Sequence, residues 1–135
     1  MQIASKLMMC SINVGDMSKS KNFYVTKLGF EIATEYRQDD DNWWTTLALP
    51  EGGTTLTLSR ASVSPESIKA GTLSMYFEVS DVEAAHKEAT GKDIETDGVQ
   101  DDLFGPGSGV KWFSTKDPDG NQVMFAEKHD ARAPF

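Results

Sequence analysis

A chain of 135 residues is long enough to bury a substantial core, and 39% hydrophobic with 25% charged residues is typical of a globular protein. The net charge of −8 argues against nucleic acid and anionic membrane surfaces as partners, since both attract lysine and arginine. No apolar run approaches the roughly 20 residues that a membrane helix needs, and we expect no signal peptide. One cysteine, Cys10, cannot form an intramolecular disulfide, which favours a cytoplasmic protein.

The first half of the chain predicts a strand, a helix and three further strands. Residues 8–14 alternate apolar and polar side chains, which is typical of a strand with one face on a core. Asp16 is a suitable N-cap for a helix that contains Phe23 and Tyr24 and ends at Gly29. Three strands are then expected at residues 30–36, 43–49 and 54–59.

The second half predicts the same order of elements. In residues 73–79 every second side chain, beginning with Leu73, is apolar and is expected to face a core. Asp81 is predicted to be the N-cap of a helix that ends at Gly91. A glycine-rich loop is expected at residues 101–109. The predicted strands are a weakly indicated one at 92–99 and two more at 110–115 and 122–127.

Two pairs of markers recur at nearly the same offset, which indicates an internal duplication. The capping residues Asp16 and Asp81 lie 65 positions apart (81 − 16). The hairpin glycines Gly53 and Gly120 lie 67 positions apart (120 − 53). A pseudo-symmetric molecule offers a natural ligand site between its two halves.

These motifs resemble the vicinal oxygen chelate superfamily, which includes glyoxalase I, extradiol dioxygenases, fosfomycin-resistance enzymes and bleomycin-binding resistance proteins. The matching segments are residues 13–17, 23–24, 28–30, 77–82 and 117–121. The resemblance implies an α+β fold of two βαβββ modules whose sheets curl around a shared cup, with the helices outside. It implies one glyoxalase/bleomycin-resistance-like domain over residues 1–135, made of module 7–60, linker 61–71 and module 72–128, and a homodimer.

Enzymes of this superfamily hold a divalent metal in the cup with histidine and glutamate side chains of the first and last strand of each module. The resemblance places these metal positions at Met9, Thr57, Ser74 and Met124. Thioethers and neutral hydroxyls are poor ligands for hard or borderline divalent cations. We therefore expect neither a metal nor another cofactor.

The side chains expected to line the cup are soft, aromatic or polar. The predicted ligand-binding residues are Met9, Asn13, Trp44, Thr57, Ser74, Tyr76, Glu78, Phe104, Trp112 and Met124. Methionine and aromatic side chains suit an aromatic ligand, and a few polar groups would orient it. Trp44 and Trp112 could equally pack in a core or a dimer interface, whereas Trp43 is expected in the core. Phe104 could close over the cup as a lid or anchor its own loop.

Few groups are suited to catalysis. Glu78 is the one catalytic candidate, as a general base with Tyr76 as its helper. Cys10 has the alternation of the helix-facing side chains and is expected to be an inert core thiol. His86 falls in the second helix and His129 follows the last strand, so neither is expected in the cup.

The resulting hypothesis is a metal-free small-molecule-binding protein of this superfamily that sequesters an aromatic or antibiotic-like ligand. One alternative is a lyase, isomerase or dioxygenase that uses non-standard metal ligands or Glu78 as its base. Another is a structural or regulatory module without a ligand. The negative charge would favour cationic ligands, through Glu78 or through cation–π contacts.

Overall fold

A computed structural model describes residues 3–61 and 73–127. The chain divides into two compact units, unit 1 (Met1–Lys69) and unit 2 (Ala70–Phe135). Nearly all of the predicted linker and the predicted position of His129 lie outside the described residues. In the described ranges, no helix has the length and apolar character that crossing a bilayer requires.

Unit 1 has the predicted order of one strand, a helical segment and three strands. Its elements are β1 (Met9–Asn13), α1 (Met17–Lys21), a π-helical segment (Asn22–Lys27), β2 (Glu31–Asp39), β3 (Asn42–Ala48) and β4 (Thr55–Ala61). The strands form one sheet in the order β1-β4-β3-β2. Strand β1 is parallel to β4, and the other pairs are antiparallel.

The helical segment of unit 1 begins and ends where local chemistry predicts. The Asp16 carboxylate accepts a hydrogen bond from the backbone N–H of Lys19 at 3.1 Å, so it caps α1. Gly29 ends the segment with φ +82°, a conformation that costs glycine little. The π-helical segment contains the β-branched Val25 and Thr26, which crowd the turns of an α-helix.

One face of the unit 1 sheet packs against the helical segment to form a core. Every second residue of β3 is buried, namely Trp43, Thr45 and Leu47. Tyr24 is fully buried and contacts the ring of Phe23 edge to face, with 5.0 Å between the ring centroids. The aromatic side chains of the helical segment therefore supply much of the apolar contact on this face.

The prediction that Cys10 is a core thiol is wrong. Ile12 and Val14, which share its face of the strand, are 2% and 0% exposed, whereas Cys10 and Met8 are exposed. On this face, other side chains thus bury only the end of β1 that leads into the helix. Alternation alone identifies a face of a strand, but it does not tell how far along the strand that face is covered.

Unit 2 consists of one strand, a helix and two further strands. These elements are β5 (Ser74–Val79), α2 (Val82–Gly91), β6 (Trp112–Lys116) and β7 (Gln122–Glu127). Their sheet has the order β5-β7-β6, with β5 parallel and β6 antiparallel to β7. The Asp81 carboxylate caps α2 by accepting from the N–H of Ala84 at 3.1 Å, and the helix ends at Gly91 as predicted.

The strand predicted at residues 92–99 does not form. The segment runs beside β6, where only Gln100 and Trp112 make an isolated β-bridge. Asp93 has φ +59° and Gly98 interrupts the alternation, so the backbone lacks the regular extension of a strand. Unit 2 therefore keeps the order of the predicted module, with one strand replaced by an irregular segment.

The packed face of unit 2 is aromatic. Phe113 and Phe125 stack with 4.9 Å between their ring centroids, and both are buried. Contrary to prediction, Leu73 is exposed, because it precedes the first residue of β5. Its carbonyl nevertheless accepts from the backbone N–H of Gln122, which secures the start of β5 to β7.

Candidate functional site

Each sheet has a second face that is turned away from its own helix, and we call it the distal face. Hydrogen bonds and ring contacts to helix residues identify the opposite, helix-bearing face: Lys21 of α1 reaches Glu35, and His86 of α2 contacts Phe113. The distal face of unit 1 carries Met9, Ser11, Asn13, Tyr36, Trp44, Thr46, Thr57 and Ser59. The distal face of unit 2 carries Ser74, Tyr76, Glu78, Trp112, Ser114, Lys116, Gln122, Met124 and Ala126.

Two of the predicted metal positions contact each other on the distal face of unit 1. The Thr57 hydroxyl donates to the Met9 sulfur at 2.8 Å. The Thr46 and Thr57 hydroxyl oxygens lie 2.9 Å apart. Since a hydroxyl has one proton and Thr57 directs it to sulfur, Thr46 is the donor in the second bond. The three side chains form a directed chain of hydrogen bonds that ends at a thioether.

An aromatic pair lies beside this chain of hydrogen bonds. The rings of Tyr36 and Trp44 are tilted against each other with 5.6 Å between their centroids. Tyr36 is 59% exposed and Trp44 is half-buried. Tyr36 was not among the predicted site residues, and a β-bulge between Ile32 and Thr34 shifts the alternation of its strand.

Trp43 lies on the helix-bearing face, as expected of a core residue. Its indole N–H donates to the Glu35 carboxylate at 2.8 Å, and the Arg37 guanidinium lies 4.0 Å from the centroid of its ring. Lys21 and Thr45 donate to the same carboxylate, each at 2.7 Å. Partial burial raises the pKa of Glu35, but these hydrogen bonds and the Lys21 charge outweigh it and hold the pKa below its ordinary value.

The distal face of unit 2 is organised in rows that cross β5, β7 and β6. The rows are Glu78, Ala126 and Trp112; Tyr76, Met124 and Ser114; and Ser74, Gln122 and Lys116. Tyr76 is 62% exposed and Glu78 is also exposed, whereas Met124 is 6% exposed. The Ser74 hydroxyl donates to the Gln122 side-chain oxygen at 3.3 Å.

The loop that precedes β6 is tied to the distal face of unit 2. The Trp112 indole N–H donates to the Asp102 carboxylate at 3.1 Å, and the Ser114 hydroxyl donates to Asp97 at 3.0 Å. Phe104, two residues beyond Asp102, is 47% exposed. The role of Asp102 gave no signal in the sequence, because an aspartate in a glycine-rich loop has no periodicity to reveal its partner.

Trp44 and Trp112 occupy equivalent positions in the two sheets. In unit 1 the row of Trp44 continues through Ser59 to Asn13. In unit 2 the row of Trp112 continues through Ala126 to Glu78. The duplication therefore places an indole at the same point of each distal face, but only unit 2 has a carboxylate at the far end of the row.

The predicted metal positions do not fit a divalent cation. Met9 and Thr57 are engaged with each other, and Ser74 donates its proton to Gln122. Neither described range contains a group of three or more His, Cys, Asp or Glu side chains placed to hold a metal ion. His86 lies in α2, as predicted, with its Nε2 3.0 Å from the Thr96 hydroxyl.

Comparison with known proteins places the chain among relatives that share its fold. The family model described as Glyoxalase/Bleomycin resistance protein/Dioxygenase superfamily matches residues 6–125. YetH of Bacillus subtilis (strain 168) is 27% identical over 124 residues, which cover 87% of this chain and 93% of YetH.

Two solved structures align over almost the whole chain. TnmS3, an antibiotic binding protein from Streptomyces sp. CB03234, is 22% identical, has a TM-score of 0.78 and covers 96% of this chain and 100% of its own. A glyoxalase family protein from Enterococcus faecalis is 27% identical, has a TM-score of 0.74 and covers 93% of this chain and 100% of its own.

Proposed function

Since the chain belongs to the glyoxalase/bleomycin resistance protein/dioxygenase superfamily, we propose that it binds and sequesters an aromatic or antibiotic-like small molecule without a metal. The observation that carries this proposal is the hydrogen bond from Thr57 to Met9, which joins two positions that hold metal in enzymes of the superfamily. The proposal separates this chain from the metal-dependent lyases and dioxygenases that share its fold.

The chemistry of the donor atoms supports a metal-free site. A thioether sulfur that already accepts a hydrogen bond has less electron density for a cation, and a neutral hydroxyl is a weak ligand. Mg²⁺, Mn²⁺, Fe²⁺ and Zn²⁺ are bound in proteins mainly by carboxylate and imidazole groups, with thiolate also for Zn²⁺. No step of a reaction is therefore assigned to a metal on this chain.

The aromatic side chains of the distal faces support an aromatic ligand. Trp44 with Tyr36, and Trp112 with Tyr76 on the neighbouring row, offer flat apolar surfaces beside hydroxyl and amide groups. Each aromatic pair contributes about 0.5–1.5 kcal/mol beyond the burial of its area. TnmS3, which shares this fold, is itself an antibiotic binding protein.

We assign Glu78 to ligand recognition rather than to general-base catalysis. Its carboxylate makes neither a hydrogen bond nor an ion pair with the described residues, and the side chain is exposed. A catalytic base depends on a fixed position and a tuned environment, which neighbouring groups usually supply.

Ligand screening tests the proposal. A panel of planar aromatic compounds is titrated into the full chain while tryptophan fluorescence and the melting temperature Tm are recorded. We expect some compounds to quench the wild-type protein and to raise its Tm, and we expect Trp44→Leu to lose part of this response. Trp43→Phe, on the helix-bearing face, is the matched control and should retain it. A panel without any quenching or change in Tm would contradict the proposal.

A further inference from the structure

We infer that the distal face of unit 2 binds aromatic ligands that carry a cationic nitrogen. The aromatic ring would lie on the Trp112 indole, and the cationic group would pair with the Glu78 carboxylate. The inference rests on the proposed function and adds the chemical class of the ligand.

The register of the sheet brings the two groups into one row with a small residue between them. Glu78 on β5 and Trp112 on β6 both pair with Ala126 on β7, so the three side chains point to the same side. Adjacent strands lie about 4.8 Å apart, which separates the backbones of Glu78 and Trp112 by roughly 10 Å. The methyl group of Ala126 fills little of that span. A ring joined to an ammonium group by a short alkyl chain matches it.

The indole of Trp112 is held in place before any ligand arrives. Its N–H donates to Asp102 at 3.1 Å, which satisfies the only polar group of the ring and fixes its orientation. The surface that remains for a ligand is the face of the ring. Binding to a fixed side chain costs less conformational entropy than binding to a mobile one, so Trp112 is a preorganised platform.

The charges around the platform favour a cation. Glu78 has no partner of either kind among the described residues, and Asp102 and Asp97 accept hydrogen bonds only from neutral groups. The described part of this face carries one basic residue, Lys116, which lies two rows away from the Glu78 row. A ligand cation would therefore meet uncompensated negative charge, in agreement with the net charge of −8.

The equivalent row in unit 1 has an aromatic residue but no carboxylate, so it can be compared with the row of Trp112. There the position equivalent to Glu78 is held by Asn13, which is neutral. An aromatic ring can lie on Trp44 as on Trp112, but only the row of Trp112 offers a carboxylate. The preference for a charged nitrogen is thus expected at one distal face and not at the other.

Two probes of nearly equal size test this inference, namely 2-phenylethylamine and 2-phenylethanol. At neutral pH they differ chiefly in the positive charge of the amine. Each is titrated into the ¹⁵N-labelled full chain, and the indole N–H signal of Trp112, assigned with Trp112→Phe, reports binding. We expect the amine to bind about 2- to 5-fold more tightly than the alcohol, as exposed ion pairs allow.

Three variants test whether the preference for the amine comes from the Glu78 carboxylate or from the overall negative charge of the protein. Glu78→Gln should abolish the preference for the amine, so that the amine and the alcohol bind with equal affinity. Glu51→Gln removes the same charge from an exposed carboxylate in the β3–β4 turn and should keep the preference. Asn13→Asp should create a new preference for the amine, reported by the indole signal of Trp44.

The outcomes distinguish this inference from the proposed function. Equal affinities for the two probes, or an amine preference that survives in Glu78→Gln, would overturn the inference while leaving aromatic binding intact. An indole N–H signal of Trp112 that does not change with either probe would also overturn the inference. In this set of measurements, the proposed function fails when the whole aromatic panel leaves fluorescence and Tm unchanged.

Discussion

Thr57 and Met9 are joined by a hydrogen bond of 2.8 Å from hydroxyl to sulfur, across the parallel strands β4 and β1. The resemblance to the metal enzymes of the superfamily implies that these two positions hold metal ligands in those enzymes. Their direct contact shows that the scaffold still brings the positions together, although the side chains bind each other.

Restoring ligand chemistry at these positions should create a metal site. We expect the double variant Met9→His with Thr57→Glu to bind Zn²⁺ or Ni²⁺ with measurable heat in isothermal titration calorimetry, because imidazole and carboxylate suit these ions. The wild type should show no such heat. Met8→His with Thr57→Glu is the matched control, since Met8 alternates to the opposite face of the strand. Equal binding by both double variants would contradict the shared position of Met9 and Thr57.

The carboxylate of Glu35 should make stability depend on acid pH. Its pKa in the folded state lies below its ordinary value of 4.5, so its contribution is present above that value and is lost as pH falls through the folded pKa. Below about pH 4.5, the free energy of unfolding should decrease less in Glu35→Gln than in the wild type. The difference should be less than about 1 kcal/mol, because the group is partly exposed. Urea denaturation at several pH values measures it.

Glu31→Gln is the matched control for the acid dependence. It removes a carboxylate from the same strand, where the Glu31 side chain is exposed and makes no hydrogen bond or ion pair with the described residues. We expect the pH dependence of this variant to follow the wild type. A flattening as large as that of Glu35→Gln would mean that the cluster around Glu35 is not its source.

The buried hydroxyl of Ser20 should cost stability. Ser20 is 0% exposed, and its hydroxyl oxygen has no hydrogen-bond partner among the described residues. Ser20→Ala removes the buried polar group and raises helix propensity, so we expect the free energy of unfolding to increase by about 1 kcal/mol. Ser18→Ala, at an exposed position of the same helix, should gain only the smaller propensity effect. A Ser20→Ala variant less stable than the wild type would show that the hydroxyl has a partner.

The conformation of Gly29 should make it sensitive to substitution. It has φ +82°, and an added Cβ would meet nothing within 4 Å, so Gly29→Ala introduces only backbone strain. We expect a loss of about 1 kcal/mol in the free energy of unfolding, measured by thermal denaturation. Gly91→Ala, which has equal space at the end of α2 and no positive φ, should be neutral or slightly stabilising. Equal losses in both variants would refute the strain at Gly29.

The elements that the sequence predicted correctly depend on local chemistry. Asp16 and Asp81 cap helices through their own side chains, and Gly29 ends one through its own backbone freedom. The predictions that were wrong concern residues whose surroundings are set by neighbours distant in sequence. Cys10 shares the alternation of Ile12 but not its apolar cover, and residues 92–99 accompany β6 without a regular ladder.

The candidate site was only partly predictable for the same reason. Trp44 and Trp112 were both predicted to line the cup, but their equivalence follows from strand register. Their distances to the hairpin glycines Gly53 and Gly120 differ, at nine residues (53 − 44) and eight (120 − 112). Tyr36 was not among the predicted site residues, and a β-bulge changes the alternation of its strand.

We propose above all that the protein binds aromatic molecules without a metal. The most direct test titrates 2-phenylethanol into the full chain before and after extensive treatment with EDTA, with metal content determined by mass spectrometry and binding read at Trp44 and Trp112. We predict the same dissociation constant in both preparations and no stoichiometric divalent metal in either. Binding that disappears with EDTA and returns when one equivalent of a divalent metal is added would contradict the claim.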